Sequence, residues 1–158
     1  MGWRGRAIVI SGRSFSGKTT LVAALLQAGA TYYSDEYAVF DAHGRVHPYP
    51  TLLSIRQGSD ERPRKCPPEA LGGRPGVKPL PVGLVVVCEY RPAARWQPRA
   101  LSPGRAMLAL LANTVAARRQ PHVALATLQQ VVCHATILQG RRGEAAEMAA
   151  AILEKMAG

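Results

Sequence analysis

Residues Gly12-Arg13-Ser14-Phe15-Ser16-Gly17-Lys18-Thr19 satisfy the pattern G-x-x-x-x-G-K-[ST], and what flanks them decides the fold. Ala7-Ile8-Val9-Ile10 before the motif is short, apolar and β-branched, as a buried strand requires. Thr20-Leu21-Val22-Ala23-Ala24-Leu25-Leu26 after it has the composition of a helix, which is expected to open at Lys18 and stop near Gly29. Strand, glycine-rich loop and helix in that order turn successive backbone N–H groups into one concavity, where the helix dipole adds to their attraction for phosphate. Gly12, Arg13, Ser14, Phe15, Ser16 and Gly17 are therefore expected to cradle a nucleotide, with Thr20 in the turn that follows. Lys18 would reach the β- and γ-phosphates and Thr19 would ligate Mg²⁺, so ATP and Mg²⁺ are the expected cofactors.

The 158 residues suffice for one domain, 1–158, and are too few for two comfortable ones. An apolar content of 47% excludes a disordered chain. No apolar run approaches the length of about 18 residues that spans a bilayer, so no membrane partner is expected. The basic start Met1-Gly2-Trp3-Arg4-Gly5-Arg6 runs straight into the motif, which cleavage of a leader would destroy, and a cytoplasmic location follows as an expectation. Three cysteines, Cys66, Cys88 and Cys133, form no C-x-x-C pair, which supports neither a disulfide framework nor a zinc site. The net charge of +10 attracts anions generally, but no nucleic-acid-binding motif accompanies it, and nucleic acid is not the expected partner.

Thr31-Tyr32-Tyr33-Ser34 reads as a strand running into the acidic pair Asp35-Glu36. Short strands with small turns follow, near 37–41, 45–48 and 51–56, and His43 and His47 flank one turn. Residues 57–81 gather prolines, glycines and arginines and are expected to lack regular structure. The near-continuous apolar run of residues 82–90 predicts the central strand of a mixed, partly antiparallel sheet that contains all of these strands. Residues 102–158 are helical by pattern. Ser102-Pro103 opens a helix ending at Arg118-Arg119, Pro121 opens a second that continues through Ile137 to Gly140, and a third runs from about Glu144 to Met156. Met148, Ile152 and Met156 share one face of the last helix, which would pack on the sheet or on another subunit, leaving a homo-oligomer open.

With these blocks in place the chain resembles the HPr kinase/phosphorylase family and its P-loop relatives, the phosphoenolpyruvate carboxykinases. The resemblance rests on the phosphate loop, on Gly29-Ala30-Thr31-Tyr32-Tyr33-Ser34-Asp35-Glu36, and on Ser102-Pro103-Gly104-Arg105-Ala106-Met107, with Leu52-Leu53-Ser54-Ile55-Arg56 a weaker fourth block. It covers roughly residues 7–119 and is nearest to the small HPr-serine-kinase-like ATP-binding proteins, some of which accompany peptide-modification systems. It departs at Phe15, where the family has glycine, at Glu36 in place of aspartate, and at Ala106 in place of asparagine.

The resemblance implies a P-loop α/β core with a helical C-terminal third and an ATP-dependent kinase acting on a hydroxyl, the acceptor a serine of a protein or peptide. It implies that Asp35 serves as base and Glu36 faces the metal, or the reverse, and that Arg105 offsets γ-phosphate charge from a helix start. Two other functions are open at this point: a nucleotide-binding regulatory or assembly module with little or no catalysis, and a small-molecule kinase.

Overall fold

The computed structural model describes residues 1–12, 16–55 and 64–158; Arg13, Ser14, Phe15 and residues 56–63, Arg56 among them, lie outside the described residues. In chain order the elements are β1 (Gly2–Trp3), β2 (Arg6–Ser11), α1 (Lys18–Gln27), β3 (Val39–Phe40), β4 (Arg45–His47), β5 (Leu53–Ile55), β6 (Arg64–Cys66), β7 (Leu80–Tyr90), β8 (Arg99–Ala100), α2 (Pro103–Leu111), α3 (Pro121–His134), β9 (Thr136–Arg142) and α4 (Ala145–Ala157). Single 3₁₀ turns occur at Pro68–Leu71 and Val115–Arg118.

The fold is α/β with a mixed sheet. β7 is its axis because it is apolar on both faces: Val85 and Val86 are fully buried, one toward each layer of helices. β2 lies parallel to β7 on one side, from Ile8 opposite Leu84 to Ser11 opposite Val87. β9 lies parallel on the other side, from Thr136 opposite Leu84 to Tyr90 opposite Arg142. The antiparallel members sit at the margins. β1 pairs with β2, β4 with the first residues of β7, β3 with β4, and β8 with β9.

Alternation along β2 sends Ile8 to one face and Val9 to the other, and each face receives two helices. α1 and α4 cover the first with Leu21, Leu25, Leu26, Met148 and Ile152, all nearly fully buried. α2 and α3 cover the second with Ala106, Leu110, Leu128 and Val131. Each large aliphatic side chain so buried contributes about 1.5–3 kcal/mol, and this anchors the helix ends that form the site.

Four expectations are corrected. The helix opened by Ser102-Pro103 ends at Leu111 rather than at Arg118-Arg119, with only a 3₁₀ turn at Val115–Arg118. The second C-terminal helix stops at His134 rather than reaching Gly140, and Thr136–Arg142 is an interior strand, so the C-terminal third is not helical throughout. The interval from Val132 to Ile137 breaks the helical period, and the β-branched Thr136-Ile137 pair fits a buried parallel strand better. Residues 53–55 leave the main sheet and form a separate hairpin with Arg64–Cys66, which also puts regular structure inside the proline-rich stretch 57–81. Finally, Thr31 and Tyr32 make only isolated bridges, to Gly2 and Pro75, so the acidic pair sits in a bend rather than at a strand end.

Candidate functional site

The C-terminal ends of the parallel strands β2, β7 and β9 set the geometry around the glycine-rich loop. A Cβ on Gly12 would lie 2.7 Å from the Cys88 carbonyl oxygen and 2.9 Å from Ser16 Oγ, so only glycine lets the loop leave β2 this close to β7. Gly17 has φ +75°, a left-handed conformation that turns the chain into α1 at Lys18.

Lys18 Nζ donates to the Gly12 carbonyl across 2.9 Å, folding its side chain back over the loop. Burial lowers its pKa, and only a negative charge on Cys88 would work in the opposite direction. Thr19 Oγ1 donates to Asp35 Oδ2 at 3.3 Å, joining the first turn of α1 to the acidic bend. The other oxygen of Asp35 faces the Tyr32 hydroxyl at 3.3 Å, and the single proton of that hydroxyl is shared with the closer Thr51 carbonyl at 2.7 Å. Burial raises the Tyr32 pKa, with the Thr51 contact opposing and Asp35 reinforcing the shift, so the hydroxyl keeps its proton. The bend itself is shaped by Ser34, whose Oγ accepts the Glu36 and Tyr37 amides at 3.2 Å each.

These groups face a cleft of about 1040 Å³. One wall carries Gly12, Gly17, Lys18, Thr19, Thr20, Asp35 and Glu36; the opposite wall comes from the end of α2 and the start of α3, with Asn113, Thr114, Gln120 and Thr127. Ser16 is buried behind the first wall, its Oγ without a hydrogen-bond partner. Of the expected site residues the fold thus brings Gly12, Gly17, Lys18, Thr19, Thr20, Asp35 and Glu36 to one cleft, while Arg13, Ser14 and Phe15 lie outside the described residues.

Arg105 does not join them. β8 runs antiparallel to β9, and Leu101 bonds to Ile137 near the start of β9, so α2 begins at the edge of the sheet away from the loop and climbs toward it. Its C-terminal residues reach the cleft, and Arg105 is left exposed about 7.5 Å of helical rise below Leu110. His47 is likewise engaged elsewhere, its Nε2 lying 3.1 Å from Asp41 Oδ2, and His43 is exposed.

Two residues that sequence reasoning did not single out contribute to the site. Tyr32 orients Asp35, and the Asp35 spacing from a buried aromatic was available as a signal. Arg142, 2% exposed, bonds through its guanidinium to the carbonyl oxygens of Gly17 and Gly143. Its position beneath the loop follows from β9, which the sequence reading, with a helix through Ile137 to Gly140, does not contain.

Among the described residues no group of three or more His, Cys, Asp or Glu forms a metal cage. Thr19 and Asp35 suit Mg²⁺ instead, which takes one or two protein oxygens together with substrate phosphates. No described helix is long and apolar enough to cross a membrane. Compared with known proteins, the chain matches no family model, no curated protein and no solved structure.

Proposed function

We propose that this chain is a cytoplasmic, HPr-kinase-like phosphotransferase that binds ATP with Mg²⁺ and transfers the γ-phosphoryl group to a hydroxyl, a serine of a peptide or protein. The observation that carries the proposal is the Thr19–Asp35 hydrogen bond of 3.3 Å beside Lys18 in one cleft. A hydroxyl whose lone pair faces a cation needs an acceptor for its proton, and Asp35 Oδ2 is that acceptor. Asp35 is accordingly assigned to the metal side, and Glu36, exposed on the cleft wall, to the acceptor.

Lys18 and the amides at the start of α1 would hold the β- and γ-phosphates while Glu36 takes the proton of the attacking hydroxyl. The acceptor oxygen bonds to the γ-phosphorus, the bond from that phosphorus to the β–γ bridging oxygen breaks, and ADP leaves. Mg²⁺, when bound, supplies charge neutralisation at the β- and γ-phosphate oxygens.

A second function, a nucleotide-binding module without transfer, is favoured by the remoteness of Arg105, because among the described candidates a cation at the γ-phosphate is then left to Lys18. Thermal-shift titration with MgADP and MgATP, followed by incubation with γ-labelled ATP and serine-containing peptides, separates the two. Binding lost in Lys18→Ala together with label on a peptide is the expected result. Binding without label in any acceptor would leave the module, and no wild-type binding would overturn both.

A further inference from the structure

We propose that Arg142 is a positioning residue of the phosphate site: its buried guanidinium fixes the peptide units that precede α1, and bound polyphosphate balances its charge. The proposal rests on the nucleotide-binding half of the proposed function.

Arg142 Nη2 donates to the Gly17 carbonyl at 2.7 Å and more loosely to the Ser16 carbonyl at 3.5 Å, while Nη1 donates to the Gly143 carbonyl at 2.9 Å. In a trans peptide the N–H points opposite to the C=O. Holding the Ser16 and Gly17 carbonyls therefore turns the Gly17 and Lys18 amides away from Arg142, on the side where an anion would sit. The Gly17 carbonyl also accepts the Leu21 amide at 3.2 Å, so the same peptide unit belongs to both the helix and the arginine.

The electrostatics need an anion. Arg142 lies over the Tyr90 ring at 5.0 Å, its Nε has no hydrogen-bond partner, and it is 98% buried. Among the described residues no carboxylate pairs with it; the ion pairs there join Asp41 to Arg45 and His47, and Glu89 to Arg91. Arg142 and a second cation, Lys18, both act on the Cys88 thiol, which burial keeps protonated against their pull. A cation at a helix N-terminus opposes the dipole as well. A buried guanidinium and a helix start at one loop are stabilised together by a single ligand, a polyphosphate.

Calorimetric titration of the full chain with inorganic pyrophosphate and with MgADP tests this in wild type, Arg142→Met and Arg142→Lys, at a temperature where circular dichroism finds each fully folded. Affinity for both ligands should fall about tenfold or more in Arg142→Met and by less in Arg142→Lys, which keeps the charge but loses the planar fork. A purely structural role would lower the melting temperature and leave the affinity of the folded protein unchanged, and that result overturns the inference. If Arg142→Met does not fold, Arg142→Lys decides: wild-type affinity there overturns the inference. Wild type that binds pyrophosphate but no nucleotide, with binding weakened in the variants, would uphold the role of Arg142 while refuting the phosphotransferase. Wild type that binds neither ligand refutes both.

Discussion

Thr19 Oγ1 and Asp35 Oδ2 lie 3.3 Å apart although they are 16 positions apart in the sequence, and this contact ties the helix start to the acidic bend. Because the hydroxyl donates to the carboxylate, removing either partner leaves the other without its orientation. Thr19→Ala and Asp35→Asn should each raise the Mg²⁺ concentration needed for nucleotide stabilisation by about tenfold, the effect of losing one hydrogen bond to a charged group, ~1.5 kcal/mol. The double variant should cost less than the sum, since both remove the same contact. Glu36→Gln should leave that Mg²⁺ requirement alone and lower transfer by about 10²-fold or more. Melting curves against Mg²⁺ and initial rates of transfer check the division; identical behaviour of Asp35→Asn and Glu36→Gln would refute it.

Gly17→Ala should be among the most damaging single-methyl changes in the chain. The residue has φ +75°, which costs an L-residue about 1–2 kcal/mol, and the added Cβ would collide with the Arg142 guanidinium. We expect a loss of about 2 kcal/mol or more in denaturant unfolding, with nucleotide stabilisation abolished. Gly104→Ala is the control, because a Cβ there meets nothing within 4 Å in the first turn of α2, and it should be neutral or stabilising by up to about 1 kcal/mol.

How far the sequence reached depended on whether the decisive contacts were local. The loop, its flanking strand and the helix opening at Lys18 are specified within about twenty neighbouring residues, and the structure has β2 and α1 there. β7 was legible because its continuous apolar run needs cover on both faces. β9 was not, because Thr136–Arg142 carries glycine and two arginines and becomes a strand only through seven residues of pairing with β7. The same loss hid Arg142 and put Arg105 at the wrong end of the sheet, since the direction of α2 is set by β8 pairing with β9. Side-chain orientation within the acidic bend was also out of reach, being decided by Tyr32 and by Ser34 capping rather than by residue type.

Acid should weaken the β3–β4 hairpin before the rest of the domain. Partial burial works against ionised Asp41, but the Arg45 amide, the His47 and Arg45 side chains and the His43 amide together hold its carboxyl well below the usual carboxylate range. A carboxylate depressed in the folded state adds stability that is complete above its unfolded value, about pH 4, and is lost as pH falls through the folded value. Asp41→Asn should therefore melt lower than wild type at neutral pH, and the two melting curves should converge on acidification. Amide exchange at residues 39–47 provides the local readout, and a constant gap between the proteins across the acid range would contradict the assignment.

The cysteines should divide sharply in reactivity. Cys133 is exposed on α3 and Cys66 is half-buried in β6, whereas Cys88 is 5% exposed in β7 with its carbonyl against Gly12. Burial raises the Cys88 pKa although Arg142 and Lys18 pull it down, and thiolate rather than thiol is the species that reacts. Treating the native protein with iodoacetamide at pH 8 should modify Cys133 and then Cys66, with Cys88 labelled only after denaturation. Lys18→Ala removes one of the two cations favouring the thiolate but opens the cleft floor, so any gain in Cys88 labelling there would come from access. Peptide mass mapping over a time course reads each site separately, and rapid native labelling of Cys88 would contradict its burial in β7.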